Sequence, residues 1–134
     1  MLLPPPYRRA RSRDERFRLI QPSRQRILAD NLKPAVSILA RLRGLMFRSH
    51  CPGEGLLFKP GGSFHTAFVR FPIDALFLDR QGQILKLCQA VPPWQIRLAP
   101  RRTAILIELP AGTLARWGLQ EGDVVVPEPS GDIR

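Results

Sequence analysis

The chain has 134 residues, with 21 Lys or Arg, 11 Asp or Glu and 14 prolines, and a net charge of +10. That length suits one domain and excludes a two-domain architecture. No apolar run approaches the ~18 residues that cross a bilayer, so no membrane partner is expected, and prolines this frequent exclude long helices.

The charge is uneven. Residues 1–48 hold 12 basic and 3 acidic side chains, whereas residues 49–134 hold 9 and 8. Most of the excess is arginine, at Arg8, Arg9, Arg11, Arg13, Arg16, Arg18, Arg24 and Arg26, behind a Pro4-Pro5-Pro6 run that donates no backbone hydrogen bonds. Only Phe17, Leu19 and Ile20 offer an apolar period there. Residues 1–25 therefore read as a basic, flexible N-terminal extension, residues 26–126 as a β-rich domain and residues 127–134 as a C-terminal tail.

Along the chain, Pro34 opens the best helical pattern, Ala35 to Arg43, with Val36, Leu39 and Leu42 on one stripe and Gly44 as a C-terminal cap. Gly55–Lys59 reads as a strand, Pro60-Gly61-Gly62 as a turn and Ser63–Phe71 as a second strand. Ile73–Asp79 and Gln83–Val91 flank Arg80-Gln81-Gly82 as a hairpin, and Thr103–Leu109 is the most apolar strand. Ala111–Trp117 predicts a helical turn stopped by Gly118, with Trp117 in the core, and Val124–Val126 a closing strand. The pattern predicts a mainly β, single-domain fold, a jelly-roll or barrel-like β sandwich with one or two short helices, and no alternating βαβ rhythm.

Cys51 and Cys88 belong to no C-x-x-C pair, and of His50, Cys51, His65 and Cys88 only the first two are locally spaced, so no metal site is expected. No P-loop, G-x-G-x-x-G, H-E-x-x-H or G-x-S-x-G pattern implies a cofactor or a reaction class. Without a recognisable export signal, the cytoplasm is the expected compartment and both thiols are read as free.

The informative residues are polar ones inside apolar strands. Alternation puts Asp74 on the face of Leu76 and Leu78, and Glu108 on the face of Leu106. A carboxylate in such a place is costly unless paired or hydrogen-bonded. Two explanations compete: a strand-end position bonding a backbone amide or an arginine, or one polar pocket shared by Asp74, Glu108 and Arg70. On a straight strand Arg70 and Asp74 stand ~13 Å apart, and His65 has the opposite parity from Asp74, so Pro72 or a bulge would have to bend the chain. His65 beside Thr66 has the residue types of a general base next to a hydroxyl nucleophile. Trp94 follows Pro92-Pro93, where its ring either closes a ligand groove or covers the end of the barrel.

Arg43-Gly44-Leu45-Met46-Phe47-Arg48, Gly55-Leu56-Leu57-Phe58, His65-Thr66-x-Phe68-x-Arg70-Phe71-Pro72-Ile73-Asp74, Glu108-Leu109-Pro110-Ala111-Gly112 and Gly118-Leu119-x-x-Gly122-Asp123 occur in this order. Together they resemble the domain-of-unknown-function 192 family of small bacterial and archaeal proteins, over roughly Arg26 to Val126. Val69 departs from the pattern, since many relatives place methionine there. The resemblance implies a mainly β domain of jelly-roll or barrel type with a helix near its start, and it implies no activity or cofactor.

Three functions follow as expectations. The first is a small-ligand or partner-binding β domain with a groove formed around His65, Thr66, Arg70, Asp74, Trp94 and Glu108. The second is a non-specific nucleic-acid binder acting through Arg8, Arg9, Arg11 and Arg13, an arm that lacks a stacking platform because only Tyr7 and Phe17 interleave with its arginines. The third is an acid–base hydrolase using His65 with Asp74 or Glu108.

Overall fold

In the computed structural model, which describes residues 15–35, 45–46, 48–51 and 54–130, short alternating and continuous apolar runs become nine strands. They are β1 (Phe17–Gln21), β2 (Arg26–Pro34), β3 (Gly55–Phe58), β4 (Phe64–His65), β5 (Ile73–Leu78), β6 (Ile84–Val91), β7 (Ile96–Arg97), β8 (Ile105–Pro110) and β9 (Val126–Pro129). One short helix, α1 (Thr113–Trp117), follows β8. Seven strands form one sheet in the order β6-β5-β8-β3-β2-β1-β9, and β4 pairs with β7 in a separate ribbon. All neighbours in the large sheet are antiparallel except β2 and β3.

The sheet curls into a half-barrel. Its two edges approach at one corner, where Gln83 bridges Val124 and the Val125 amide donates to the Gly82 carbonyl. Side-chain parity gives the sheet two buried faces. The interior gathers residues from β1, β2, β3, β5, β6 and β8, among them Leu19, Leu32, Leu57, Leu76, Ile107 and Leu109, and is plugged by Leu114 and Trp117 of α1. The outer face carries Leu56, Phe58, Ala75, Phe77 and Leu106, covered by Phe64 of the ribbon, Val69 and Leu45. This is why β5 and β8 read as unbroken apolar runs: both sides of each strand are dry.

The mainly β, single-domain expectation holds, with the barrel-like form its nearer description. The β5–β6 hairpin and the helical turn stopped at Gly118 are as the sequence predicts. Gly118 adopts φ +67°, where a Cβ is strained, and its amide donates to the Leu114 carbonyl at 3.0 Å.

Three expectations are corrected. The segment from Phe17 to Gln21, assigned to the flexible extension, is β1: Phe17 and Leu19 are fully buried, and β1 lies between β2 and β9. An apolar pair too short to signal a strand alone is sufficient when two neighbours supply both hydrogen-bond ladders. Likewise the first residues of the expected C-terminal tail, Pro127 to Pro129, belong to β9. Pro34 is the last residue of β2, and the helix expected over Ala35 to Arg43 lies, apart from Ala35, outside the described residues. Finally, Ser63–Phe71 is a strand only at Phe64–His65, because the chain turns at Ala67-Phe68, with Phe68 at φ +61°.

Candidate binding surface

Asp74 and Glu108 are both buried, at 0% and 5% exposure, but they do not share a site. In the β5–β8 register Asp74 stands opposite Leu109 and Glu108 opposite Ala75. Directly opposed residues point to the same side of a sheet, so Asp74 faces the interior and Glu108 the outer core. The expected shared pocket is therefore absent, and the groove that was to unite them with Arg70 is corrected.

Each carboxylate has its own local reason. Ile73 pairs with Val91 and Ala75 with Cys88, so β6 has an extra residue opposite Asp74. Such a bulge removes an amide from the ladder. Asp74 Oδ1 accepts the Ala90 N–H at 2.8 Å, and Oδ2 accepts the Leu114 N–H at 2.9 Å, in the first turn of α1. The helix has no side-chain cap from its own N-cap, Gly112. Asp74 is thus a structural brace between bulge and helix. Glu108 lies between Leu56 of β3 and Ala75 of β5, and burial pushes its carboxyl up to about 8. Burial also pushes the Cys51 thiol up to about 12, with Glu108 adding to the rise and Arg48 opposing it.

The loops after β4 and β6 do bring predicted residues together. Thr66 is fully buried and, through four of the bonds below, ties the two segments together. Its hydroxyl donates to the Pro92 carbonyl at 2.7 Å and accepts the Gln95 amide at 2.8 Å. Its own amide donates to the Gln95 carbonyl, and its carbonyl accepts from Val69 and Trp94. The hydroxyl is fully engaged in this bracing, and no base addresses it. His65 is exposed, its Nδ1 accepting the Ala67 amide at 3.2 Å. The pairing of His65 with Asp74 or Glu108 is not assembled, since one carboxylate is inside the barrel and the other lies beneath the outer core.

What Thr66 holds in place is an aromatic pair. Phe68 and Trp94 both have left-handed backbones, and their rings meet edge to face with centroids 4.8 Å apart. Phe68 remains 47% exposed and Trp94 65%, beside Ile96 at 69%, which pairs with His65 across the ribbon. Arg70 is exposed two residues beyond Phe68. Trp94 therefore presents its ring to solvent instead of covering the barrel end. Phe68 and Ile96 are the members of this surface that sequence reasoning missed.

A second missed signal is electrostatic. Residues 55–73 and 80–107, which include β3, the ribbon and its loops, the β5–β6 turn and β6, contain no Asp or Glu. They carry Lys59, Arg70, Arg80, Lys86, Arg97, Arg101 and Arg102, all exposed or half-exposed. Summing residues 49–134 as one block hides this, because the compensating carboxylates include the buried Asp74, Asp79 and Glu108. Among the described residues no group of three or more His, Cys, Asp or Glu could hold a metal ion, and no helix is long and apolar enough to cross a membrane.

The ordered motifs and the curled sheet meet in the comparison with known families: the DUF192 family model, described as "Uncharacterized ACR", matches residues 20–127. The chain belongs to the DUF192 family. Among solved structures similar to this DUF192 chain is a protein of Sinorhizobium meliloti 1021 described as "a putative transcription regulator". It has a TM-score of 0.70 and 31% identity over 87% of this chain and 93% of that one. Another, a protein of unknown function from Novosphingobium aromaticivorans DSM 12444, has a TM-score of 0.68 at 22% identity, covering 81% of each chain, and shares the fold. Among curated proteins none matches.

Proposed function

We propose that this DUF192 domain is a non-catalytic binding module whose cationic side takes single-stranded nucleic acid, with Phe68 and Trp94 as the stacking platform. The observation that carries this reading is the exposed, Thr66-braced aromatic pair on the ribbon side, where Arg70 and Arg97 lie in segments that contain no Asp or Glu. Single-strand binders combine these two parts: cations that track the phosphate backbone and rings on which bases stack. The N-terminal arm lacks the second part, whereas the ribbon side has both, so the body of the domain replaces the arm as the primary surface. The relative described as a putative transcription regulator supports the same class of partner. Small-ligand or protein-partner binding at this surface is the competing reading, and the same experiment separates them.

Trp94 is a built-in reporter, because the other tryptophan, Trp117, is buried in the interior. Titration with a short oligothymidylate should quench Trp94 fluorescence, with an affinity that falls steeply as salt rises. Stacking worth ~1–3 kcal/mol per base predicts that Trp94→Ala weakens binding roughly 5- to 150-fold, with the fold unchanged by circular dichroism. Absence of quenching, or equal affinity in Trp94→Ala, overturns the reading, as does preference for an acidic peptide over the oligonucleotide at matched charge.

A further inference from the structure

At the far end of β5 from Trp94, register places another feature. Trp94 follows Val91, which pairs with Ile73, whereas Lys59 follows Phe58, whose partner Leu106 pairs with Phe77. Beyond Leu78 a cleft of ≈ 440 Å³ is lined by Lys59, Pro60, Arg80, Arg102, Thr103 and Ala104. Its three cations come from three separate segments: the β3–β4 loop, the β5–β6 turn and the loop before β8.

The walls of the cleft are held by backbone. The Gly61 amide donates to the Ala104 carbonyl at 2.8 Å and the Ala104 amide to the Leu78 carbonyl at 2.8 Å. Thr103 donates from both its amide and its hydroxyl to the Pro100 carbonyl, at 3.2 and 2.7 Å. Gly61 lies so close to β8 that a Cβ there would stand 2.4 Å from the Leu106 nitrogen. These three backbone amides are thus occupied within the walls, and Lys59, Arg80 and Arg102 contribute to the lining.

The lining contains no carboxylate. The nearest in sequence, Asp79, is 9% exposed and its Oδ1 accepts the Gln81 and Gln83 amides, both at 2.9 Å. Burial and the neighbouring Arg80 charge lower the Lys59 pKa, so the Lys59 and Arg80 charges are close enough to repel each other. Arginine forks match phosphate oxygens bidentately, and the volume is that of small-molecule sites.

We infer that this cleft binds the phosphoryl group of a small phosphomonoester, held by Lys59, Arg80 and Arg102. This site is separate from the aromatic surface and independent of the nucleic-acid reading.

The test is an NMR titration of the full chain with inorganic phosphate, adenosine monophosphate and adenosine. Both phosphates should shift the Arg80 and Arg102 side-chain Nε–H signals and the amides of residues 59 and 102–104, and adenosine should not. The monophosphate should bind more tightly than inorganic phosphate, and the Arg80→Gln/Arg102→Gln double variant should weaken it roughly tenfold or more. Arg116→Gln, exposed on α1 and outside the cleft, should change nothing. Shifts absent at millimolar ligand, centred on Arg70 and Trp94, or undiminished in the double variant overturn the proposal. Equal affinity for inorganic phosphate overturns the ester assignment. The readout does not involve Trp94, so failure here is distinguishable from failure of oligonucleotide binding.

Discussion

The Asp74 carboxylate accepts the Leu114 amide proton at 2.9 Å, so a residue of β5 caps the helix that follows β8. Its other oxygen satisfies Ala90 at the β6 bulge. Asp74→Ala leaves both amides without an acceptor, at ~1–3 kcal/mol for each buried group, for a loss of roughly 2–6 kcal/mol. Asp74→Asn keeps one acceptor and should lose about half as much. Urea unfolding monitored by circular dichroism reads both values, and the cleft and ribbon should retain their ligands in the folded fraction. Loss of less than the cost of one orphaned amide would show that water or a shifted helix takes over the role.

This brace was only half legible in the sequence. Alternation within β5 and β8 correctly identifies two carboxylates in apolar strands, but parity fixes faces only within one strand. Whether Asp74 and Glu108 meet is decided by the register between strands, and Asp74 faces Leu109, not Glu108. A slip of one residue would have put both on one side. The β5–β6 hairpin and Gly118 cap were legible because turn chemistry is local. β1 was not, because Phe17 and Leu19 gain much of their burial from β9 and from the interior, which are remote in sequence, as well as from neighbouring β2. The acid-free basic segments were hidden by averaging charges over residues 49–134, where three of the acids, Asp74, Asp79 and Glu108, are buried.

Glu108 makes stability fall as pH rises. Its folded-state pKa of about 8 lies above the ordinary value of 4.5. Below that ordinary value both states hold the proton and stability is greatest. Between the two values the unfolded chain releases the proton while the fold retains it, at a cost of about 1.4 kcal/mol for each pH unit of the window. Above the folded value the loss is complete. Glu108→Gln should flatten this slope, so that its urea midpoint exceeds the parent's at about pH 8 and approaches it at about pH 5. Parallel midpoint profiles for the two proteins would refute a neutral Glu108.

Thr66→Val tests whether the aromatic platform depends on its brace. The change is nearly isosteric but leaves the Pro92 carbonyl and the Gln95 amide without the hydroxyl that joins them. The expected loss is roughly 1–3 kcal/mol of stability. Oligonucleotide affinity should also fall, since the Pro92–Gln95 turn that carries Trp94 loses its hydroxyl tie, and Trp94 emission should shift with the change in packing. Stability loss with unchanged oligonucleotide affinity would separate the brace from the platform.

The arm and the domain body make different predictions for salt dependence. Arg8, Arg9, Arg11 and Arg13 offer up to four phosphate contacts, and each contact to a single strand contributes ~0.7 to the slope of log affinity against log salt. Removing residues 1–14 should therefore lower that slope by up to about 3 while leaving Trp94 quenching in place. Replacing Arg70 and Arg97 with glutamine should lower it again, because those cations lie on the ribbon side with the aromatic pair. If deletion of the arm abolishes oligonucleotide binding altogether while Trp94→Ala has no effect, the arm is the whole binding element and the ribbon side is not a nucleic-acid surface. Retained quenching with a reduced slope places recognition on the domain and leaves the arm to raise affinity by charge alone.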